Sequence, residues 1–392
     1  MALGQTLKHP AREGEILRMR HVHSLSASAH EQQRLEQIER ARQAVLLEGR
    51  AAPDAAVDPW PERAWLAQSW QRCLTRGLRP DQAVTFDLVP RPASQQLREA
   101  HRELLQAARA PLQQLARAVA PIRYFALLTD AEGTVIDTAG AIDHGDRRAH
   151  AIARIGVDLS EHSIGTSAIG AALREQQPVW LHRGEHFFRD TGAYSCAGAP
   201  LAGPDGRCVG MLDLTGIDAP ERPELKHLVA QSARQIEDAL LLATPHRWCL
   251  RLGWSPAVAG SAADGLLCLD ADGFAVGANA AARHMLPTLR RLSLQAIHVE
   301  SLFALPCGML FDHATSANPL DAPLWSGLRV SVLVRPAGGA APMPSVRPLK
   351  LRETELIHQA VREAGGNVAR AARTLGLSRA TVYRRLAAVR KD

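Results

Sequence analysis

Residues 365–386 read GGNVARAARTLGLSRATVYRRL, two short apolar stripes at helical spacing parted by a glycine. The pattern predicts a helix-turn-helix. Asn367 is a good N-cap for the first helix, whose stripe is Val368, Ala371, Ala372 and Leu375. Gly376 accepts the left-handed backbone of a sharp turn, and Ser378 caps a second helix with the stripe Val382, Leu386 and Val389. The outer face of that second helix carries Arg379, Thr381, Tyr383, Arg384 and Arg385. These are the cationic and hydrogen-bonding groups that phosphates and major-groove base edges require.

Charge is segregated in the same way. From Arg347 onward there are eleven Lys plus Arg against four Asp plus Glu, a net +7 in a chain whose total is +6. The first 346 residues are therefore close to neutral, at −1. One basic module on a near-neutral body points to a DNA reader joined to something else rather than to a general polyanion binder. A solvated basic helix face is the simpler alternative, and the glycine turn, the two caps and the paired stripes speak against it.

With these residues in view, residues 349–392 resemble the Fis-type DNA-binding domain that closes many bacterial enhancer-binding activators. A preceding helix fits residues 351–364, where Leu356, Ile357, Ala360 and Val361 fall at helical spacing. The resemblance implies an all-α module that binds double-stranded DNA as a homodimer, with two recognition helices reading half-sites one turn apart. It places the DNA contacts on Ser378, Arg379, Thr381, Tyr383, Arg384 and Arg385. Ser378 stands where family members commonly have Asn, and Tyr383 where they commonly have a cation, so base preference stays open.

The rest of the chain has room for more than one domain, and 46% apolar residues suit ordinary globular cores. Six singly scattered cysteines without a CxxC pair, and no leader or membrane-length apolar run, lead to the expectation of a cytoplasmic protein. Residues 1–120 read as a helical region, with an amphipathic stretch at 31–47 and a tryptophan-bearing face over 64–81 that serves as packing. A further helix is expected over 93–119. Two hairpins follow: strands at 124–128 and 134–138 joined by DAEG, and strands at 197–201 and 208–215 joined by GPDG. A helix at 167–174 and a strand at 178–181 lie between them, and a helix over 223–242 closes the set. The expected fold is α+β, an antiparallel sheet with helices on one face.

The stretches SWQRCLTRGL, IGVDLSEHSIGTSAIGAAL, QPVWLHRGEHF and CAGAPLAGPDGRCVGMLDLTG occur in that order. They resemble the sensory half of acetoin-catabolism-type activators, which implies a GAF sensor domain over 121–243 for a small-molecule effector. Its expected ligand contacts are Trp180, His182, His186, Phe187, Tyr194 and Thr166, apolar walls with a few hydrogen-bonding tips; His162 and Ser167 are further polar candidates. A satisfied core or loop role is the simpler alternative for each. His182, His186 and Cys196 have a metal-like spacing, but no carboxylate pair completes the set and no metal or other cofactor is expected.

Residues 250–335 resemble a PAS-like α+β module, with a strand, a DADG turn, a second strand and an Asn-led helix over 261–286 and a closing strand at 328–334. Residues 336–348 form a Pro/Gly/Ala linker. In the activators resembled, an ATP-hydrolysing domain separates the sensors from the Fis-type tail. Here the interval is short, and no GxxxxGK[ST] phosphate loop or sigma-54-contacting GAFTGA-like loop occurs. GxSxG, HExxH and GxGxxG are also lacking, which removes the common enzyme constellations. The expectation is a metabolite-sensing transcriptional regulator that acts without ATP-dependent sigma-54 remodelling, with RNA polymerase as a candidate partner. The alternative is a ligand-binding adaptor that dimerises with a full-length activator.

Overall fold

Near-continuous apolar runs explain the first sheet better than a half-buried pattern does. In the computed structural model, which describes residues 31–49, 64–86, 91–255, 264–291, 294–316, 318–337 and positions 368 and 372, strand β1 (Tyr124–Asp130) is buried along its whole length. It sits beside β2 (Val135–Gly140) and β5 (Cys208–Ile217) in an antiparallel sheet completed by β4 (Tyr194–Ala202) and β3 (Val179–His182), in the order β2-β1-β5-β4-β3. Alternation along β1 sends Tyr124, Ala126 and Leu128 to one core and Phe125 and Leu127 to another. Helices therefore cover both faces, not one. A strand with no polar phase has no face to offer water.

On one face lie α4 (Arg102–Val119) and α8 (Leu225–Ala243), which bury Leu104, Leu112, Val229 and Ile236 against the sheet. On the other lie α2 (Ala64–Thr75) and α7 (Ala168–Glu175), together with the short α5 (Arg147–Ile152) and α6 (Glu161–Ile164). A first helix, α1, runs over residues 31–42 and finishes as a π-turn at Gln43–Leu47. The single helix expected over 93–119 is two: α3 (Arg91–Ala100) and α4, broken at His101, whose φ of −103° and ψ of 22° leave the helical range.

A second antiparallel sheet is built from β6 (Trp248–Gly253), β7 (Gly265–Leu269), β8 (Ala275–Ala278), β9 (Leu320–Pro323) and β10 (Arg329–Pro336), ordered β8-β7-β6-β10-β9. Helix α9 (Ala280–Met285) follows β8, capped by Asn279, whose side chain accepts from the Ala282 N–H at 2.9 Å. Helices α10 (Thr288–Arg291) and α11 (Cys307–Asp312) complete the layer. The turns after β1 and β7 use one device. Asp130 Oδ1 accepts from the N–H groups of Glu132 and Thr134, and Asp270 Oδ1 accepts from those of Asp272 and Phe274, with Gly133 and Gly273 at positive φ.

The two sheets belong to one compact unit, joined where Arg283 donates to Pro204 O at 2.7 Å and Asn279 donates to Asp238 at 2.9 Å. A second unit begins at Pro336. Beyond Ala337 the described residues of this unit are Val368, half-buried, and Ala372, buried, both helical. The DNA-contact candidates Ser378, Arg379, Thr381, Tyr383, Arg384 and Arg385 lie outside the described residues. Among the described residues no helix is long and apolar enough to cross a membrane.

Candidate effector cavity

Strand parity decides which side chains meet on the α7 side of the first sheet. Leu127 of β1, Tyr194 and Cys196 of β4, and Asp213 and Thr215 of β5 share that face, with Leu127 opposite Asp213 and Cys196 opposite Thr215. Across from them stand Ser167, Ala168 and Ile169 at the start of α7, and His186 reaches in from the loop after β3. Between these groups lies a narrow cavity of about 30 Å3, room for one or two water molecules.

Asp213 is the acidic group in this wall, and it is only 1% exposed. Its Oδ2 accepts from the Thr215 hydroxyl at 2.5 Å, while Oδ1 receives no hydrogen bond from the described residues. Burial lifts the carboxyl from its ordinary 3.8 to about 7, opposed by the Thr215 hydrogen bond, which favours the charged form. Because the Thr215 proton is given to Asp213, the Cys196 contact at 3.3 Å runs from thiol to hydroxyl oxygen. Burial, reinforced by the Asp213 carboxylate, holds that thiol protonated.

His186 faces the same space with its protonation settled by its neighbours. Nδ1 lies 2.9 Å from Arg183 O, and a carbonyl only accepts, so Nδ1 carries the hydrogen and Nε2 is left as an acceptor. Burial lowers its pKa to about 4, so the ring is neutral. Tyr194 meets it edge-on, with ring centroids 6.3 Å apart, and sends its hydroxyl away to Arg148 O at 3.1 Å. Ser167 Oγ accepts from Gly170 N–H at 3.1 Å and so caps α7.

The other residues expected at the site are elsewhere. Trp180 and His182 occupy the opposite phase of β3, stacked on each other at 6.3 Å on the α4–α8 side, where His182 Nδ1 meets Ser195 Oγ at 2.8 Å. That placement separates His182 from His186 and Cys196. Among the described residues no three His, Cys, Asp or Glu side chains converge as a metal ion would need. Phe187 is buried beneath Gly165 and packs on Phe188 at 5.1 Å. Thr166 points at α2 and exchanges a 2.7 Å hydrogen bond with Ser69; His162 is exposed. Asp213 and Thr215 were not among the expected contacts, although an Asp inside CVGMLDLTGI, in phase with Met211, marks an inward-facing carboxyl.

Helices α1 and α2 hold the rim of this cavity. Arg42, buried, donates to the carbonyls of Gly184 at 2.7 Å, His186 at 2.5 Å and Phe187 at 3.0 Å. Trp70 Nε1 donates to Glu185 O at 2.9 Å. Ser69 donates to Glu161 at 2.7 Å, and Arg72 forks onto the same carboxylate at 2.8 and 3.0 Å. The SWQRC motif is thus a row of clamps onto the segments around the cavity.

Residues 36–238 match the family model described as the MimR N-terminal domain, and residues 348–388 match that of bacterial regulatory proteins of the Fis family. The acetoin catabolism regulatory protein of Cupriavidus necator is 32% identical over 242 residues, 60% of this chain and 36% of that protein. The propane 2-monooxygenase operon transcriptional activator MimR of Mycolicibacterium smegmatis is 30% identical over 205 residues, 52% of this chain and 33% of that protein. The chain matches about a third of the length of these relatives. Among solved structures, the DhaR(N) and DhaL complex of E. coli aligns with a TM-score of 0.42 at 17% identity, covering 69% of this chain and 99% of that one.

Proposed function

This chain belongs to the MimR N-terminal domain family, and from that membership we propose that it is a DNA-binding transcriptional regulator that responds to a small-molecule effector. The carrying observation is the pairing, in one chain, of that sensory match at 36–238 with a Fis-type match at 348–388. The first sheet supports an effector role because it walls a cavity lined by apolar side chains and a few polar groups, one of them a buried carboxyl, the composition of a small-ligand site. The sensor is a GAF-type domain and the second sheet a PAS-like module. The tail reads double-stranded DNA as a homodimer in the cytoplasm, through Ser378, Arg379, Thr381, Tyr383, Arg384 and Arg385. Acetoin or a propane-derived metabolite, in line with the relatives' names, is a natural first effector to try.

Output proceeds without ATP-driven remodelling of a sigma-54 polymerase, through contact with RNA polymerase or occlusion of it. No phosphate loop occurs in the sequence, and the interval between the two family matches holds the second sheet. The test is footprinting on the chain's own upstream DNA with wild type, Arg384→Ala and Arg385→Ala. Each substitution is expected to weaken specific binding and reduce the salt slope by about one. Undiminished binding by both variants would leave the tail without a DNA-reading role.

A further inference from the structure

We propose that the effector of this cavity is a small uncharged alcohol or diol whose hydroxyl donates to Asp213 Oδ1. The inference rests on the sensor reading above and adds the ligand's chemistry. Its basis is where the hydrogens are. The Cys196 thiol donates to Thr215, and Thr215 donates to Asp213 Oδ2, so the protein's own donors at the carboxyl are used on one oxygen. The other oxygen, Oδ1, is buried and receives nothing from the described residues. A carboxyl oxygen withdrawn from water without a partner is costly, and a ligand that supplies a donor recovers that cost.

The remaining polar groups around the cavity add no spare donor. Nδ1 of His186 is committed to Arg183 O, which leaves Nε2 as an acceptor. The Tyr194 hydroxyl leaves for Arg148 O, and the Thr191 hydroxyl donates to Phe188 O at 2.9 Å. Above pH 7, where Asp213 is ionised, a ligand must therefore bring hydrogens. Anions are disfavoured because no Lys or Arg among the described residues lines the space and Asp213 would repel them. An ammonium is disfavoured because its three N–H groups outnumber the acceptors left open at the cavity, Asp213 Oδ1 and His186 Nε2. A volume of about 30 Å3 holds one or two heavy atoms as it stands, so the ligand is small and the cavity widens to admit it.

The experiment is calorimetric titration of the full chain at pH 8, where Asp213 is ionised, with four three-carbon probes: propane-1,2-diol, acetone, propanoate and propan-1-amine. Each is tested on wild type, Asp213→Asn, Asp213→Leu and the cavity-filling Ala168→Leu, with circular dichroism confirming that each variant is folded. We expect the diol to bind tightest to wild type. Its affinity should fall about tenfold or more in Asp213→Leu, less in Asp213→Asn, which keeps an acceptor oxygen, and should vanish in Ala168→Leu. Equal diol affinity in wild type and Asp213→Leu overturns the proposal. So does a tighter fit of propanoate, propan-1-amine or acetone; if that fit is lost in Ala168→Leu, the sensor reading stands and only the hydroxyl chemistry fails. Binding of none of the probes overturns the hydroxyl proposal, and if operator affinity is also unchanged by Ala168→Leu, the sensor reading falls with it.

Discussion

Replacing Asp213 with Asn should change how the stability of the chain depends on pH, in a direction and by an amount that the burial of Asp213 dictates. The folded carboxyl titrates near 7 instead of 3.8 because it is buried. Between those values the folded state keeps a proton that the unfolded state releases, so the group's contribution is fully present below pH 3.8 and is lost as pH rises through 7. Three units correspond to about 4 kcal/mol, accumulated at about 1.4 kcal/mol per pH unit. His186 works in the opposite sense: its pKa, lowered by burial from 6.5 to about 4, gives stability that is present above pH 6.5 and lost as pH falls through 4. In wild type the two slopes offset one another between about pH 4 and 6.5. The Asp213→Asn side chain does not titrate, so the variant should gain on wild type by about 4 kcal/mol from about pH 4 to about pH 8; Glu237, which burial also lifts to about 7, keeps its falling slope in both proteins and cancels in the difference. Urea unfolding followed by circular dichroism at half-unit steps reads the difference, and any pH-independent cost of the substitution cancels in it. Curves that run parallel across this range would refute the assignment of a buried, near-neutral carboxyl to Asp213.

Three further substitutions probe the frame around the cavity. Arg42→Met keeps the apolar stem but removes a buried guanidinium from three carbonyls; a loss of about 3 kcal/mol is expected, with faster amide exchange over residues 183–187, and unchanged exchange there would contradict the clamp. Glu161→Gln breaks the fork with Arg72 and leaves Ser69 a weaker acceptor; about 1–3 kcal/mol of destabilisation is expected in thermal melts, and it should be non-additive with Arg72→Met in a double-mutant cycle. Gly165 adopts φ 62° and ψ −156° with Phe187 Cβ only 2.9 Å from where a Cβ would stand; Gly165→Ala should cost about 2 kcal/mol or more, and a melt within a degree of wild type would remove the steric argument.

The turns and caps of this fold were legible because their chemistry is local. Asp130 with Gly133, Asp270 with Gly273, and Asn279 ahead of α9 each act within four residues, and each does in the structure what its residue type invites. Features set by tertiary packing were less legible. The break at His101 has no local signal, whereas Pro111 sits inside α4 without ending it. The strand Trp248–Gly253 carries a weak alternation, WCLRLG, yet it sits at the centre of the second sheet because both neighbours pair with it. At the site, Trp180, His182, His186 and Tyr194 are close in sequence, but the two-residue period of β3 turns the first two away from the cavity. The same period, applied to CVGMLDLTGI, brings Asp213 and Thr215 into it. Parity along a strand was the informative quantity, more than proximity along the chain.

Parity also fixes which parts of the cavity wall can yield. The sheet side is a ladder of paired strands, and the α7 side is held by the Ser167 cap and by Gly170 packed against Glu161. The segment carrying His186 has only short 3-10 turns of its own, and its carbonyls at 184, 185, 186 and 187 are taken by Arg42 and Trp70. A ligand larger than the present space displaces this segment most easily, and doing so works against bonds supplied by α1 and α2. The energetic unit around the cavity therefore does not begin with β1 at residue 124. It reaches back through the SWQRC clamps of α2 to Arg42 and Arg34 on α1, where Arg34 meets Glu185 at 2.5 Å. The family match, which starts at residue 36, takes in Arg42 and the α2 clamps, with Arg34 two residues ahead of it.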